Sequence, residues 1–160
     1  MFRYYAGIGS RKTPREVCEE MEEIAKELYD RGFILRSGGA RGADSAFERG
    51  AGEAKAIYRP DDIIPEWCYF EVAIHVPPNR PPFNHMKTYT QNLLARNMLQ
   101  VLGDSGEDPS EFVVCWTPAD SKLGGTGYAI RCAIAHKIPV YNLRNESDRI
   151  ALIREVFNGA

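Results

Sequence analysis

Two periodicities of apolar positions run along this chain, and the switches between them mark out its elements. Arg3 to Ile8 is short and β-prone and runs into Gly7-Ile8-Gly9-Ser10-Arg11. Val17, Met21, Ile24 and Leu28 then recur at spacings of four and three, which predicts a helix with one apolar face. Its start carries three agreeing signals: Thr13 as a cap, Pro14 for the first helical position and Glu16 as a capping-box partner. Gly32 ends it. Phe33-Ile34-Leu35 reads as a buried strand and leads into Ser37-Gly38-Gly39-Ala40-Arg41-Gly42-Ala43-Asp44, which opens a short helix through Phe47 to Ala51. Ala54 to Tyr58 predicts a third strand, and Thr88 to Leu102 a helix with apolar Leu93, Leu94, Met98, Val101 and Leu102. Glu111 to Trp116 is the clearest strand. A further glycine loop, Leu123-Gly124-Gly125-Thr126-Gly127, enters a helix carrying Ala129, Ile130, Ala133 and Ile134. Ile138 to Leu143 predicts another strand and Glu146 to Phe157 a terminal helix.

Strands alternating with helices through short glycine-bearing turns imply an α/β fold. We expect a Rossmann-like, doubly wound and mainly parallel sheet of about five strands, with helices on both faces, as a single domain over residues 1–160. Residues 59–86 break the pattern. Six of the ten prolines fall there, among Trp67, Tyr69, Phe70 and Phe83, so this stretch is read as a structured excursion or as a lid or partner surface. Trp67, Phe70 and Ile74 suggest a short amphipathic helix within it.

The composition narrows the class. The chain has 160 residues, 44% hydrophobic and 26% charged, which suits a folded domain with its own core. Its formal charge of -2 argues against a protein that coats DNA through a broad basic surface. No stretch approaches the roughly 20 apolar residues of a membrane span, and no leader is visible at the N-terminus, so a cytoplasmic location is expected. Cys18, Cys68, Cys115 and Cys132 form no CxxC pair, and the histidines are read as isolated from them and from one another. Buried thiols and no metal or other cofactor are expected.

In an open parallel sheet, ligands bind beyond the carboxyl ends of the strands where the winding reverses. Gly7 to Arg11, Ser37 to Asp44 and Gly124 to Gly127 are all predicted at that edge. Glycine lets the backbone approach a phosphate, and a helix N-terminus offers free N–H groups. Ser10, Ser37 and Thr126 add hydroxyls, and Arg11 and Arg41 add charge-assisted hydrogen bonds. Arg96 and Asn97, on the helix from Thr88, either face solvent or point to the same edge. Neither a Walker A sequence nor a complete GxGxxG with its acidic partner is present, which disfavours ordinary NAD binding.

These motifs, in this order, resemble the Rossmann domain of the DNA-processing protein A (DprA/Smf) family. That family belongs to the SLOG superfamily, with the Lonely Guy phosphoribohydrolases and the molybdenum-cofactor carrier proteins. The resemblance covers roughly Tyr4 to Leu143. It implies that Gly9, Ser10 and Arg11 form a first ligand loop, and that Ser37, Gly38, Gly39, Arg41 and Gly42 form a second, with Asp44 opening its helix. Gly124, Gly125, Thr126 and Gly127 would form the last phosphate-facing turn. It also implies a compact stand-alone form of the kind found in phage and bacterial genomes. Arg131 stands where the phosphoribohydrolases carry a catalytic glutamate, which counts against simple phosphoribohydrolase activity.

Three functions remain open at this point. The first is binding of a nucleotide or nucleotide-derived phosphate ligand. The second is a nucleotide-processing hydrolase cleaving an N-glycosidic bond of a nucleoside monophosphate, which needs a carboxylate; Asp44 and Glu48 are the candidates, with Glu71 a remote third. The third is single-stranded nucleic-acid binding as in DprA, with Arg11, Arg41 and Arg96 and stacking aromatics. A homo-oligomer is left open.

Overall fold

A computed structural model describes residues 2–118 and 124–159. Leu123 of the last glycine loop therefore lies outside the described residues. Five strands, β1 (Arg3–Gly7), β2 (Phe33–Ser37), β3 (Lys55–Ile57), β4 (Val113–Cys115) and β5 (Val140–Asn142), form one sheet in the order β3-β2-β1-β4-β5. All four pairings are parallel, with Tyr5 opposite Leu35 and Ala6 opposite Val113. The winding reverses between β1 and β4, as in a Rossmann-like fold.

Alternation along the strands sorts side chains to two faces. Tyr5, Leu35 and Val114 pack with α1 (Arg15–Asp30), α2 (Ala43–Ala51) and Leu152 of α6 (Glu146–Leu152). Ala6, Ile8, Val113 and Cys115 pack with α3 (Glu66–Ile74), α4 (Thr88–Leu102) and α5 (Gly125–Ala135). Cys68, Cys115 and Cys132 are fully buried and Cys18 partly so, all as free thiols. Among the described residues, no helix is long and apolar enough to cross a membrane.

Three local expectations need correction. Thr13 does not cap α1, because its hydroxyl donates to the Ser10 carbonyl at 2.6 Å and tightens the preceding turn. Of the predicted stripe on α3, only Trp67 packs against the core. Cys68 and Val72 are buried, whereas Phe70 and Ile74 face solvent at 66% and 72% exposure. The terminal helix changes pitch at Ile153, and Ile153–Phe157 is wound as a π-helical turn. Segment 59–86 supplies α3, which packs beside α4, and a 3₁₀ turn at Phe83–His85.

Candidate functional site at the sheet's carboxyl edge

The loop after β1 and the loop between β2 and α2 are built into each other. Ser10 carbonyl accepts from the Ala43 amide at 3.4 Å, and the Ser37 hydroxyl donates to the Gly7 carbonyl at 2.6 Å. A methyl group at Gly9 would lie 2.6 Å from Ala43 Cβ. Gly42, at φ +81°, sits in the left-handed region and would carry a methyl 2.7 Å from the Ser10 carbonyl oxygen. These glycines are therefore required by the protein's own packing.

Arg96 and Asn97 join the loops to α4 and α5. Arg96 is buried at 7% exposure, and its guanidinium donates to the Gly38 carbonyl at 2.7 Å, the Tyr58 carbonyl at 3.0 Å and Asn97 Oδ1 at 2.9 Å. Asn97 Nδ2 in turn donates to the Gly125 carbonyl at 2.9 Å. Burial pulls the Arg96 guanidinium below its ordinary pKa; the Asp44 carboxylate opposes this, while the charges of Arg11 and Arg59 add to it.

Asp44 is buried in the first turn of α2 and accepts from the Ala40 amide at 3.3 Å. Burial lifts its carboxyl from 3.8 to about 6, against the pull of Arg96 and the Ala40 amide. The native carboxyl thus holds its proton to higher pH than the unfolded one, so folding takes up a proton between those values. Stability falls as pH rises through that window. Relative to Asp44→Asn, the wild type is expected to lose up to about 3 kcal/mol between about pH 4 and 6.5. Urea unfolding of both proteins across that range measures it, and parallel curves would show that Asp44 titrates as an ordinary carboxylate.

These elements enclose a cavity of about 500 Å³ at the β1–β4 switch point. Gly9, Ser10, Arg11 and Lys12 form one wall, and Ala40, Asp44, Arg96 and Asn97 form another. Gly124 to Gly127, at the N-terminus of α5, close the third side. Arg11 and Lys12 are exposed and have no ion-pair partner among the described residues. Gly124 and Gly125 differ from Gly9 and Gly42. Gly124 has an ordinary extended backbone (φ −81°, ψ −176°), and no described atom lies within 4 Å of a methyl placed there. At Gly125 the nearest is Asn97 Nδ2, at an unstrained 3.7 Å.

Not every candidate reaches the cavity. Ser37, Gly38, Gly39 and Gly42 shape the second loop from behind, and Arg41 is exposed outside the lining. Glu48 lies outside it as well, ion-paired with Lys55 at 2.8 Å. Arg131 faces away, its Nε donating to the His75 carbonyl at 2.9 Å. Lys12, Tyr89, Thr90, Thr117 and Pro118 line the cavity without having been singled out in the sequence. Nor are the histidines isolated from the cysteines, because His75, Cys132 and His136 converge with Glu71 at the far end of α5.

Among solved structures, the chain is similar to DNA processing protein A from Helicobacter pylori, which binds single-stranded DNA. The TM-score is 0.60 at 20% identity, covering 96% of this chain and 72% of that one. The shared fold is thus a DprA-like Rossmann fold. No protein-family model and no curated protein matches the chain.

Proposed function

We propose that the cavity binds a nucleotide, with its phosphate against Gly124, Gly125 and Thr126 at the N-terminus of α5. The observation that carries this reading is the cavity of about 500 Å³ at the β1–β4 switch point, lined together by Arg11, Lys12, Asp44, Arg96 and the start of α5. Gly124 to Gly127 line the cavity at the N-terminus of α5, where backbone without side chains lets an anion come close. Free N–H groups in the first turn of α5 suit an anion. Arg11 and Lys12, exposed and without an ion-pair partner among the described residues, supply the countercharge, and Asp44 is the carboxylate among the lining residues named above.

Gly124→Val tests this directly. Its melting temperature is expected to stay within about 1–2 °C of the wild type, as for a surface substitution worth at most about 0.5 kcal/mol. Its affinity for nucleoside monophosphates, read by calorimetry, is expected to fall at least about tenfold through loss of one charge-assisted contact. Unchanged affinity would remove the phosphate from α5.

A second reading, binding of single-stranded DNA, draws on the likeness to DNA processing protein A and on Tyr89. This ring is 61% exposed and lines the cavity with Arg11 and Lys12, as a base-stacking platform requires. Fluorescence anisotropy with oligothymidylates separates the two readings. Affinity that climbs with length beyond one nucleotide and falls steeply with salt belongs to a strand, and affinity indifferent to length belongs to a mononucleotide.

A further inference from the structure

Glu71 and His75 stand four residues apart at the end of α3, and Cys132 and His136 stand four apart at the end of α5. One helical turn puts each pair on a single face, and α3 and α5 share one core cluster, with Cys68 and Val72 packed among Cys132 and Ala133. Glu71 Oε2 lies 2.8 Å from His75 Nε2 and 3.1 Å from His136 Nε2. One donor atom from each of the four residues lies within 4.8 Å of all the others. From this convergence we propose that the α3–α5 junction is a structural zinc site held by Glu71, His75, Cys132 and His136.

The donor set selects the metal. A thiolate and two imidazoles disfavour magnesium and calcium, which prefer oxygen, while sulfur, nitrogen and carboxylate oxygen are zinc's ordinary ligands. Tetrahedral bonds of about 2.0–2.3 Å separate neighbouring donors by roughly 3.3–3.7 Å, so small side-chain rotations close the four around an ion. Four protein ligands leave no open position, which is the mark of a structural rather than a hydrolytic centre. His75 and Cys132 are buried, and the half-exposed His136 offers the route of entry. Arg131, donating to the His75 carbonyl, already fixes the end of α3 on α5.

Binding involves no redox change. The Cys132 thiol releases its proton to solvent as the zinc–sulfur bond forms. Each histidine gives up its Nε2 proton, to solvent from a doubly protonated ring or to Nδ1 by tautomer exchange in a neutral one, so that a nitrogen–zinc bond replaces the Nε2 contact with Glu71 and the ring keeps one proton on Nδ1. The ion then clamps α3, the helix of the proline-rich segment, to the helix whose opposite end opens the cavity.

Elemental analysis of the full chain produced with zinc supplied is expected to give one zinc ion per chain. Stripping it with a chelator is expected to lower the melting temperature by about 5–10 °C, restored by zinc and not by magnesium. Cobalt(II) in its place should show a thiolate charge-transfer band that Cys132→Ser abolishes. His136→Ala alters a half-exposed side chain, so it should still fold, and is expected to bind zinc at least about a hundredfold more weakly. Its nucleotide affinity should be unchanged, which keeps this site separate from the cavity. Wild-type protein that takes up no stoichiometric zinc and does not respond to it overturns the proposal. So does zinc retained equally by both variants.

Discussion

Arg96→Met is expected to destabilise the domain by about 3–5 kcal/mol, since each buried acceptor left without a donor costs about 1–3 kcal/mol and a buried carboxylate nearby loses its compensating charge. Methionine fills much of the same volume, so little of the loss comes from a cavity. What is lost is polar. The Gly38 and Tyr58 carbonyls lose the donor they share, Asn97 Oδ1 loses Nε, and Asp44 loses its nearby positive charge. In a domain of this size the melting temperature should fall by roughly 6–20 °C. The Asp44 carboxyl, no longer held down by Arg96, should rise further, so the share of the loss that belongs to Asp44 is felt at neutral pH and shrinks in acid. A variant as stable as the wild type at both pH values would show that the network is dispensable. A loss of nucleotide affinity alone would instead make Arg96 a ligand-contacting group.

The second large effect falls on binding and spares the fold. Replacing Arg11 and Lys12 together by alanine is expected to weaken phosphate-bearing ligands by about a hundredfold or more, since each charge-assisted hydrogen bond is worth about 1.5–3 kcal/mol. Both side chains are exposed and without ion-pair partners among the described residues, so stability should hardly change. The turn itself survives, because the contact to the Ser10 hydroxyl comes from the backbone amide at Lys12. Calorimetry with a nucleoside monophosphate, beside a thermal melt, reads both halves. Affinity that persists in the double variant would move the anion away from the first loop.

Most of the architecture is legible because its signals are local. Glycine runs after apolar triplets announced the two loops, and Thr88–Leu102 matches α4 because Gly103, at φ +81°, stops the helix where the pattern ends. The α3 face is different. A helix as apolar as Glu66–Ile74 offers several candidate stripes, and the packing of α4 and α5 picks Cys68 and Val72. Charge misleads in a similar way. Arg36 carries a full charge, yet it is buried between the Tyr4 ring at 3.9 Å and Asp108 at 3.0 Å. Gly50 carries no turn signal either, although a side chain there would strike the Glu22 carbonyl where α1 crosses α2.

The same division holds for the site. The glycines and Arg11 stand out in the chain, whereas Lys12, Tyr89 and Thr117 become wall residues only once β1, α4 and β4 are brought together. Glu48, one turn further along α2 than Asp44, is ion-paired with Lys55 on β3 and is not among the residues that line the cavity. The metal-like cluster did have a sequence signal. Glu71 with His75, and Cys132 with His136, are each one helical turn apart, but nothing local says that the two turns face each other.

The order of strands in the sheet also bears on how the domain is assembled. β1 forms one of its two edges early, with β2, but its other neighbour begins at Val113, more than a hundred residues later in the chain. Parallel pairing across such a separation is slow, because loop-closure entropy must be met before the contact returns anything. During synthesis the unit from β1 to β3 can gather under α1 and α2 while half of the central strand stays uncovered. The wall formed by Thr117 and Gly124 to Gly127 comes only after β4, so the ligand cavity is among the last parts of the molecule to exist.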